Sequence, residues 1–298
     1  MKKIFNKKKF SKLTPWIFLL PSIIILVIFL IIPIIEAFRW SVMDYKIIAN
    51  TGEYVGLKNF IHIFNDELFI RSIGNTFLYV LIVLPINIFV PIVLASLVNQ
   101  KLKSVGLFRV LYYVPVVTPI VVSTLMWKML YSQSSIISTV LVKIGILDSG
   151  MNFLTNPKTA IVAVALITAW RGLGYYMVMY LANLQSIPEQ LYESASIDGA
   201  NSIDKFTKIT IPLVMPTMTL VSLLTIINGL KVFAEINLTT GGGPAGATNT
   251  MVMYIYKHFN DLDVSTASAA GIILLIFAMI FSYIQRKLTS QREEDLRG

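Results

Sequence analysis

The sequence predicts an all-α integral membrane protein with six transmembrane helices. Of its 298 residues, 55% are hydrophobic and only 14% are charged, and the hydrophobic residues are clustered in long runs. A helix needs roughly 20 apolar residues to span the hydrocarbon core of a bilayer. Runs of this kind cover residues 16–35, 73–98, 106–130, 160–184, 213–233 and 267–288. A soluble core would need six unusually long and uniformly apolar helices, so we expect membrane spans.

The first run follows a lysine-rich start and therefore imitates a secretory signal peptide. It is longer than the apolar core of a signal peptide, and no small-x-small cleavage site follows it. We expect residues 16–35 to remain as an uncleaved membrane anchor.

The second and third runs each contain two prolines, which remove backbone hydrogen bonds from a helix. Within a helical bundle, neighbouring helices can satisfy the freed carbonyl groups. We therefore predict one span containing Pro85 and Pro91, and another containing Pro115 and Pro119. Pro212 and Pro216 mark the entry of the chain into the fifth run.

The distribution of basic residues predicts the topology. Lysine and arginine crowd ahead of the first run, between the second and third runs, and after the last run. Short loops rich in these residues favour the cytoplasmic side. The segments predicted to be cytoplasmic are therefore both termini, 99–105 and 185–212. The segments predicted to be outside are 39–71, 131–159 and 234–266.

Three regions follow from this topology. They are a basic cytoplasmic tail (1–13), a six-helix transmembrane domain (14–288) with an inner loop at 185–212, and a cytoplasmic C-terminal tail (289–298).

Composition argues against several other functions. The formal net charge of +9 lies at the ends of the apolar runs, where it fits contact with anionic lipid and not binding of nucleic acid. The chain has no cysteine, so it has no disulfides or thiolate metal sites, and His62 and His258 are too few and too far apart to suggest a metal centre. We identify no catalytic residues.

The loop at residues 185–212 is an exception to the basic inner surface, because it carries four acidic residues against two lysines. Ser186 and Glu189 predict the start of a helix capped by the serine, and Gly199 predicts a turn before a second helical stretch. An amphipathic helix lying on lipid is the alternative, but it would favour lysine and arginine on its polar face. The acidic loop therefore favours a protein partner.

The order of residues in this loop resembles the EAA loop of bacterial importer permeases driven by ATP. The pattern is Glu193-x-Ala195, then Gly199, then Ile209-x-Ile211-Pro212, with Ser194 where that family often has a second alanine. The resemblance implies a coupling helix held by a separate ATPase subunit. Residues expected to contact or position it are Glu193, Ala195, Asp198, Gly199, Ile209 and Pro212.

No Gly-x-x-x-x-Gly-Lys-[Ser/Thr] phosphate loop occurs in the sequence. By the same resemblance the chain is not an enzyme, it holds no cofactor, and ATP and Mg²⁺ are bound by the partner ATPase.

Further segments resemble the permeases of binding-protein-dependent sugar importers, including those for maltose and glycerol-3-phosphate. The matching segments are 55–60, 74–76, 170–174, 184–188, 238–244 and 254–256, and they occur in the family's order. The resemblance implies the type I ABC importer permease fold, alternating access, and a location in the bacterial plasma (inner) membrane. The implied partners are a second and different permease, two ATPase subunits and an extracytoplasmic substrate-binding protein.

The glycine-rich segment of this resemblance falls in an outer loop. Its residues Gly241, Gly242, Gly243 and Pro244 are expected at the outer mouth, in contact with the binding protein. Glycines allow a partner to approach the backbone closely. An ordinary mobile loop is the alternative.

Arg171 is the most unusual residue in the predicted spans. A charge at the centre of a span costs at least about 2.5–3.5 kcal/mol on insertion scales, so it usually faces a bundle interior or a wet cavity. With Thr168, Gly172 and Tyr175 it shares one helix face. The resemblance implies that this face lines the substrate path together with Asn228, Gly229 and Val232 of the fifth span. Alternatively, Arg171 pairs with a carboxylate such as Glu235 as a structural contact.

The resulting interpretation is a permease subunit of an ATP-driven importer for a sugar or oligosaccharide. An ion-coupled secondary transporter is the main alternative, but such proteins usually show internal repeats and acidic residues within the membrane. A membrane module without a transport role is a third, against which the polar face of the fourth span argues. The sequence does not indicate which sugar is carried, or its charge.

Overall fold

The chain forms a bundle of helices with one small β-hairpin. The computed structural model describes residues 7–99 and 105–295, with side chains for 15–99 and 106–287. In these residues the helices are α1 (Lys7–Leu26), α2 (Ile32–Ser41), α3 (Lys58–Asn65), α4 (Glu67–Val98), α5 (Val105–Val117), α6 (Ile120–Leu130), α7 (Ile136–Lys143), α8 (Ala160–Leu184), α9 (Glu189–Ile197), α10 (Ser202–Lys205), α11 (Ile211–Leu230), α12 (Ala234–Thr239), α13 (Met251–Asn260) and α14 (Val264–Asp295).

Two π-helical turns join helices without a break. Val27–Ile31 connects α1 to α2, and Phe206–Thr210 connects α10 to α11. The strands β1 (Met43–Lys46) and β2 (Thr51–Tyr54) pair antiparallel. Parts of the predicted cytoplasmic segments, residues 1–6, 100–104 and 296–298, lie outside the described residues.

Five helical segments of the described chain are long and apolar enough to cross a membrane, or six if one bent pair is a single span. The five are Pro15–Ser41, Glu67–Val98, Ala160–Leu184, Ser202–Leu230 and Val264–Lys287. The bent pair is Gly106–Val117 with Ile120–Leu130, and its two helices meet at 99°. The sequence predicted a single span at 106–130 and did not predict this bend.

Proline explains the bend. Pro119 has no N–H to donate, and its ring excludes the helical conformation at Thr118. It takes the N-cap position of α6 with an extended ψ of 137°. Pro85 and Pro91, in contrast, lie inside the unbroken α4.

Helix ends differ from the sequence prediction where a side chain caps the helix outside the apolar run. α4 begins six residues earlier than predicted, since the carboxylate of Asp66 accepts a hydrogen bond from the N–H of Leu68. α14 begins at Val264, where Asp263 accepts from the N–H of Thr266.

The core of the bundle is built around α8. Val164, Ile167, Met177 and Tyr180 of this helix are fully buried, and α8 packs against α4, α5 and α11. The contact with α5 is close, because a Cβ on Gly174 would clash with the carbonyl oxygen of Tyr112. By contrast, the most apolar stretch of Pro15–Ser41 has no buried residue within this chain.

Candidate functional site: a polar cavity and an exposed inner loop

A cavity of about 530 Å³ lies between α4, α8 and α11, next to the break between α11 and α12. Four of the residues predicted for the substrate path line it from α8, and two line it from α11. The seventh, Val232, lines it from the segment that follows α11. The full predicted set is Thr168, Arg171, Gly172, Tyr175, Asn228, Gly229 and Val232. The structure therefore brings all seven residues together around one space.

Arg171 forms an ion pair across this cavity with Glu235, in the first turn of α12. Its Nη1 lies 3.4 Å from Glu235 Oε1, and the two side chains are 24% and 12% exposed. In the described part of the chain, the Nε of Arg171 is buried and has no hydrogen-bond partner. The ion pair with Glu235, which the sequence left as an alternative, is therefore present. The Nε–H of the guanidinium has no partner within the described chain.

The other predicted residues of α8 are tied to α4. The Thr168 hydroxyl forms a hydrogen bond with the hydroxyl of the fully buried Tyr79. A Cβ on Gly172 would lie 2.9 Å from both amide atoms of Asn87. Gly172 was predicted to line the substrate path, and its lack of a side chain also makes room for Asn87.

Sequence reasoning missed several residues of the cavity wall. Asn87 is 2% exposed, and its Oδ1 has no hydrogen-bond partner among the described residues. Thr225, Tyr176 and Lys231 also line the cavity. An asparagine in the middle of an apolar span was a signal for Asn87, because a polar group there needs a partner or a wet cavity.

A second feature is the exposed helix α9, which follows the C-terminal end of α8. Glu193 and Asp198 are exposed, and Ala195 is half-buried. Gly199 follows with a φ of +83°, a conformation that favours glycine, and a Cβ there would meet no atom within 4 Å. Ile209 and Pro212 are half-buried, in the π turn and the first turn of α11. Of the six residues predicted for coupling, four therefore lie on an exposed helix and the turn that follows it. The other two lie near the start of the apolar helical segment Ser202–Leu230.

The start of α9 differs from the prediction. Ser186 does not cap it, because its Oγ donates instead to the carbonyl oxygen of Asn183 at 2.7 Å, and Pro188 takes the N-cap position. A side-chain cap is found instead at the next helix, α10. At α10, the side chain of Asn201 accepts from the N–H of Ile203 and Asp204, and Asp204 accepts from the N–H of Asn201.

Side-chain contacts join α9 to the helix that follows. The hydroxyls of Tyr192 and Thr210 lie 3.0 Å apart, and Lys205 Nζ donates to Ser196 Oγ at 2.6 Å. Sequence reasoning also missed two exposed apolar residues of this loop, Ile197 at 87% and Ile203 at 74%. Apolar residues in a polar loop could have indicated, from the sequence alone, a surface that a partner covers.

The outer glycine segment is held in place by α4. Asn75 Nδ2 donates to the carbonyl oxygens of Gly246 and Asn249 at 2.9 Å, and Arg71 donates to that of Ala245 at 2.8 Å. These hydrogen bonds tie the segment to α4.

Exposure within this segment is uneven. Gly242 is buried, with a φ of +89°, and a Cβ there would lie 2.8 Å from Lys257 Nζ. Burial also lowers the pKa of Lys257. Gly241, Gly243 and Pro244 are half-buried. The exposed point of the segment is Ala245, which sequence reasoning did not include.

Among the described residues, no group of three or more His, Asp or Glu side chains is placed to hold a metal ion.

Residues 88–294 match the family of binding-protein-dependent transport system inner membrane components. The chain is 30% identical to the lactose transport system permease protein LacF of Rhizobium radiobacter, over 96% of this chain and 97% of that protein. It is 31% identical to the sn-glycerol-3-phosphate transport system permease protein UgpA of Yersinia pestis, over 93% and 94% respectively.

A similar fold occurs in the crystal structure of a bacterial ABC transporter involved in the import of the acidic polysaccharide alginate. The TM-score is 0.82 with 26% sequence identity, covering 95% of this chain and 98% of that chain. Together these similarities cover nearly all of the sequence.

Proposed function

We propose a function from the premise that this chain belongs to the family of binding-protein-dependent transport system inner membrane components. It is a permease subunit of an ABC importer in the inner membrane, working with a separate ATPase and a binding protein. It is a transport subunit and not an enzyme. Because the chain belongs to this family, we reject the alternative of an ion-coupled secondary transporter. Our proposal concerns the substrate and the roles of the residues.

We propose that the chain carries a sugar or oligosaccharide through the cavity around Arg171. One observation carries this proposal: seven residues from two segments distant in sequence line a single cavity of about 530 Å³, within the usual size of small-molecule sites. The wall combines the aromatic ring of Tyr175 with hydroxyl, amide and guanidinium groups. Aromatic faces suit the apolar side of a sugar ring, and the polar groups suit its hydroxyls. The relatives named for lactose and for glycerol-3-phosphate leave the charge of the substrate open.

Six transmembrane spans complete the proposed topology, with the bent α5–α6 pair counted as one. Both termini and the loop at 185–212 are then cytoplasmic, within the three regions 1–13, 14–288 and 289–298. A second, different permease is proposed to complete the path, and two ATPase subunits to bind ATP and Mg²⁺. This chain is proposed to hold no cofactor.

We propose α9 as the coupling helix, docked on the ATPase through Glu193, Ala195, Asp198 and the turn at Gly199. The exposed Ile197 and Ile203 support this role, since they would be covered by such a partner. Ile209 and Pro212 are proposed to set how the loop enters the membrane helix.

Movement of this loop has a direct route to the cavity. Ser202–Leu230 is one continuous helical segment, with the loop at one end and the cavity residues Asn228 and Gly229 at the other. A rigid segment of this kind can carry a displacement to the substrate site without intermediate loops. The hydrogen bond between Tyr192 and Thr210 ties α9 to the same segment.

On the outer side, we propose that the segment of Gly241, Gly242, Gly243 and Pro244 faces the binding protein. Contact would be made mainly through its exposed neighbour Ala245, because Gly242 is buried. The hydrogen bonds from Asn75 and Arg71 would hold this surface ready for docking.

Gentle purification of the tagged chain from its native membrane tests the function. We expect an ATPase and a second permease to accompany it, and ATP-driven sugar uptake after reconstitution with the binding protein. In Gly199→Asp the ATPase should be lost, because a side chain at a φ of +83° strains the turn and places a charge in the docking surface.

Gly145→Asp is the matched control. It makes the same change at a glycine with a φ of +76° and no atom within 4 Å of a Cβ, but in the connection predicted to be outside. A chain that purifies alone, or a Gly199→Asp variant that keeps its ATPase, contradicts the proposed coupling.

A further inference from the structure

The cavity contains three charged side chains among the described residues: Arg171, Lys231 and Glu235. Arg171 and Glu235 are largely buried and form an ion pair, whereas Lys231 is exposed at the end of α11. Solvent and salt screen an exposed charge far more than a buried one. The inner wall of the cavity is therefore close to neutral although it carries full charges.

This ion pair suits groups that both donate and accept hydrogen bonds. A guanidinium has five N–H donors and a carboxylate has only acceptors. The single contact of 3.4 Å between Nη1 and Oε1 leaves most of these positions unused, and the buried Nε of Arg171 has no partner in the described chain. A sugar hydroxyl can accept from Arg171 while donating to Glu235, and it adds no charge.

A carboxylate or phosphate on the substrate meets the same pair differently. It is attracted by Arg171 but repelled by Glu235, and it must compete with Glu235 for the guanidinium. Charges are only weakly screened at partly buried sites. The glutamate thus cancels the attraction that an unpaired arginine would offer to an anion.

We propose that the Arg171–Glu235 ion pair sets the charge selectivity of the cavity, so that it accepts neutral sugars and disfavours sugars bearing a carboxylate or phosphate. This inference rests on the proposed sugar permease function and specifies its substrate class. Glu235 is then a specificity-determining residue, and Arg171 contacts the substrate while paired.

The absence of cysteine from the chain allows the charge of the cavity to be measured directly. Asn228 lines the cavity and is exposed to it, so Asn228→Cys supplies a single reporter thiol. Its rates of reaction with anionic methanethiosulfonate ethylsulfonate and with cationic methanethiosulfonate ethyltrimethylammonium are compared. Mass spectrometry of this chain within the purified complex reads the labelling.

Glu235→Gln should raise the ratio of anionic to cationic labelling on the order of tenfold, as expected for one charge removed at short range in a partly buried site. Arg171→Gln should lower the ratio, and the double variant should return it close to that of the parent. Glu53→Gln makes the same chemical change on the exposed strand β2 and should leave the ratio unchanged. A ratio that moves in neither single variant overturns the proposal.

The second measurement uses sugars of matched size. Galactotriose and trigalacturonate are tested for protection of the same thiol from uncharged N-ethylmaleimide, without the binding protein. We expect galactotriose to protect the parent and trigalacturonate to protect only Glu235→Gln. Equal protection of the parent by both sugars would overturn the proposal. If neither sugar protects any variant while the labelling ratios shift as expected, the sugar function fails and the charge assignment stands.

Discussion

Two glycines allow α8 and α11 to lie directly against α4 at the cavity wall. A Cβ on Gly172 would come within 2.9 Å of the Asn87 amide, and one on Gly229 within 2.8 Å of Val80 Cγ2. Both distances are shorter than side chains tolerate, and overpacking of this kind typically costs about 1–3 kcal/mol. The position of the Asn87 amide therefore depends on the absence of a side chain at Gly172.

We expect Gly172→Ala to lower sugar uptake by displacing Asn87, while the protein still folds and assembles. Uptake into proteoliposomes and the thermal midpoint of the purified complex measure the two effects. Residues in direct contact give non-additive effects when both are changed. Gly172→Ala should therefore add little to the loss seen in Asn87→Ala. Fully additive losses would contradict this account.

Sequence reasoning at this scale found the residues whose type is unusual for a membrane span. Arg171 attracted attention because a charge there is costly, and the 3.6-residue period then placed Thr168 and Tyr175 on its face. Asn87 was missed because it belongs to a different helix, and no local pattern shows which helix faces Gly172. The choice between substrate and Glu235 as partner of Arg171 also depended on a distant contact.

The contact between α5 and α8 is set by backbone atoms and leaves no room for adjustment. We expect Gly174→Ala to separate the two helices, because its Cβ would lie 2.0 Å from the Tyr112 carbonyl oxygen. The cost should reach about 1–3 kcal/mol or more and appear as a lower thermal midpoint in detergent.

Gly271→Ala is the matched control for this change. Gly271 lies within α14, and a Cβ there would meet no atom within 4 Å. In a helix interior, alanine is favoured over glycine by about 1 kcal/mol, so this variant should be neutral or slightly stabilised. Equal midpoints in the two variants would argue against a close α5–α8 contact.

The hydroxyl pair of Tyr192 and Thr210 is one side-chain hydrogen bond that joins α9 to the segment Ser202–Leu230; another runs from Lys205 to Ser196. Tyr192→Phe removes its bond with Thr210, a contact worth about 0.5–1.5 kcal/mol, and should reduce uptake for each ATP hydrolysed. Thr210→Val should have the same effect, and the double variant should be no worse than either. Uptake and ATP hydrolysis are measured in parallel in proteoliposomes. Unchanged stoichiometry in both single variants would show that the pair does not transmit movement.

The long apolar helices could be predicted from sequence, whereas some of their ends and one bend could not. The apolar runs located Ala160–Leu184 at both ends, since polar segments flank it closely. α4 and α14 begin outside their runs because Asp66 and Asp263 cap them, and capping depends on backbone geometry. Pro119 breaks a helix while Pro85 and Pro91 do not, which depends on the packing around each proline.

For the whole molecule, the bent α5–α6 pair decides the topology. If it crosses the membrane, residues 131–159 lie on the same side as 39–71, and residues 185–212 lie on the opposite side. Single cysteines at Asn50, Ile146 and Ile203 report these positions, and all three residues are exposed. We expect Asn50→Cys and Ile146→Cys to react with a membrane-impermeant maleimide from outside. Ile203→Cys should react only in opened membranes from which the ATPase has been removed, because that partner is proposed to cover it. A re-entrant pair would instead protect Ile146→Cys and expose Ile203→Cys.

The residues that line the cavity are brought together by the packing of the whole bundle. Sequence order places Arg171 and Glu235 64 residues apart, and the charge pattern of the loops predicts only the side on which each helix begins. The resemblance to sugar permeases supplied the fifth-span residues that periodicity alone could not assign. The outer segment was identified from its glycines, but its contacts with α4 required the fold.

The π turn at Phe206–Thr210 holds one residue more than an α turn, and it holds that residue within a single turn of the helix. The extra residue therefore leaves the rotational relation between Ile203, on the loop, and Asn228, at the cavity, almost as it would be in a regular helix one residue shorter. Deleting Thr207 would let the segment close into a regular α-helix with its two ends in nearly the same relation. Deleting one residue from the regular part of α11 would instead turn the loop by about 100° relative to the substrate path.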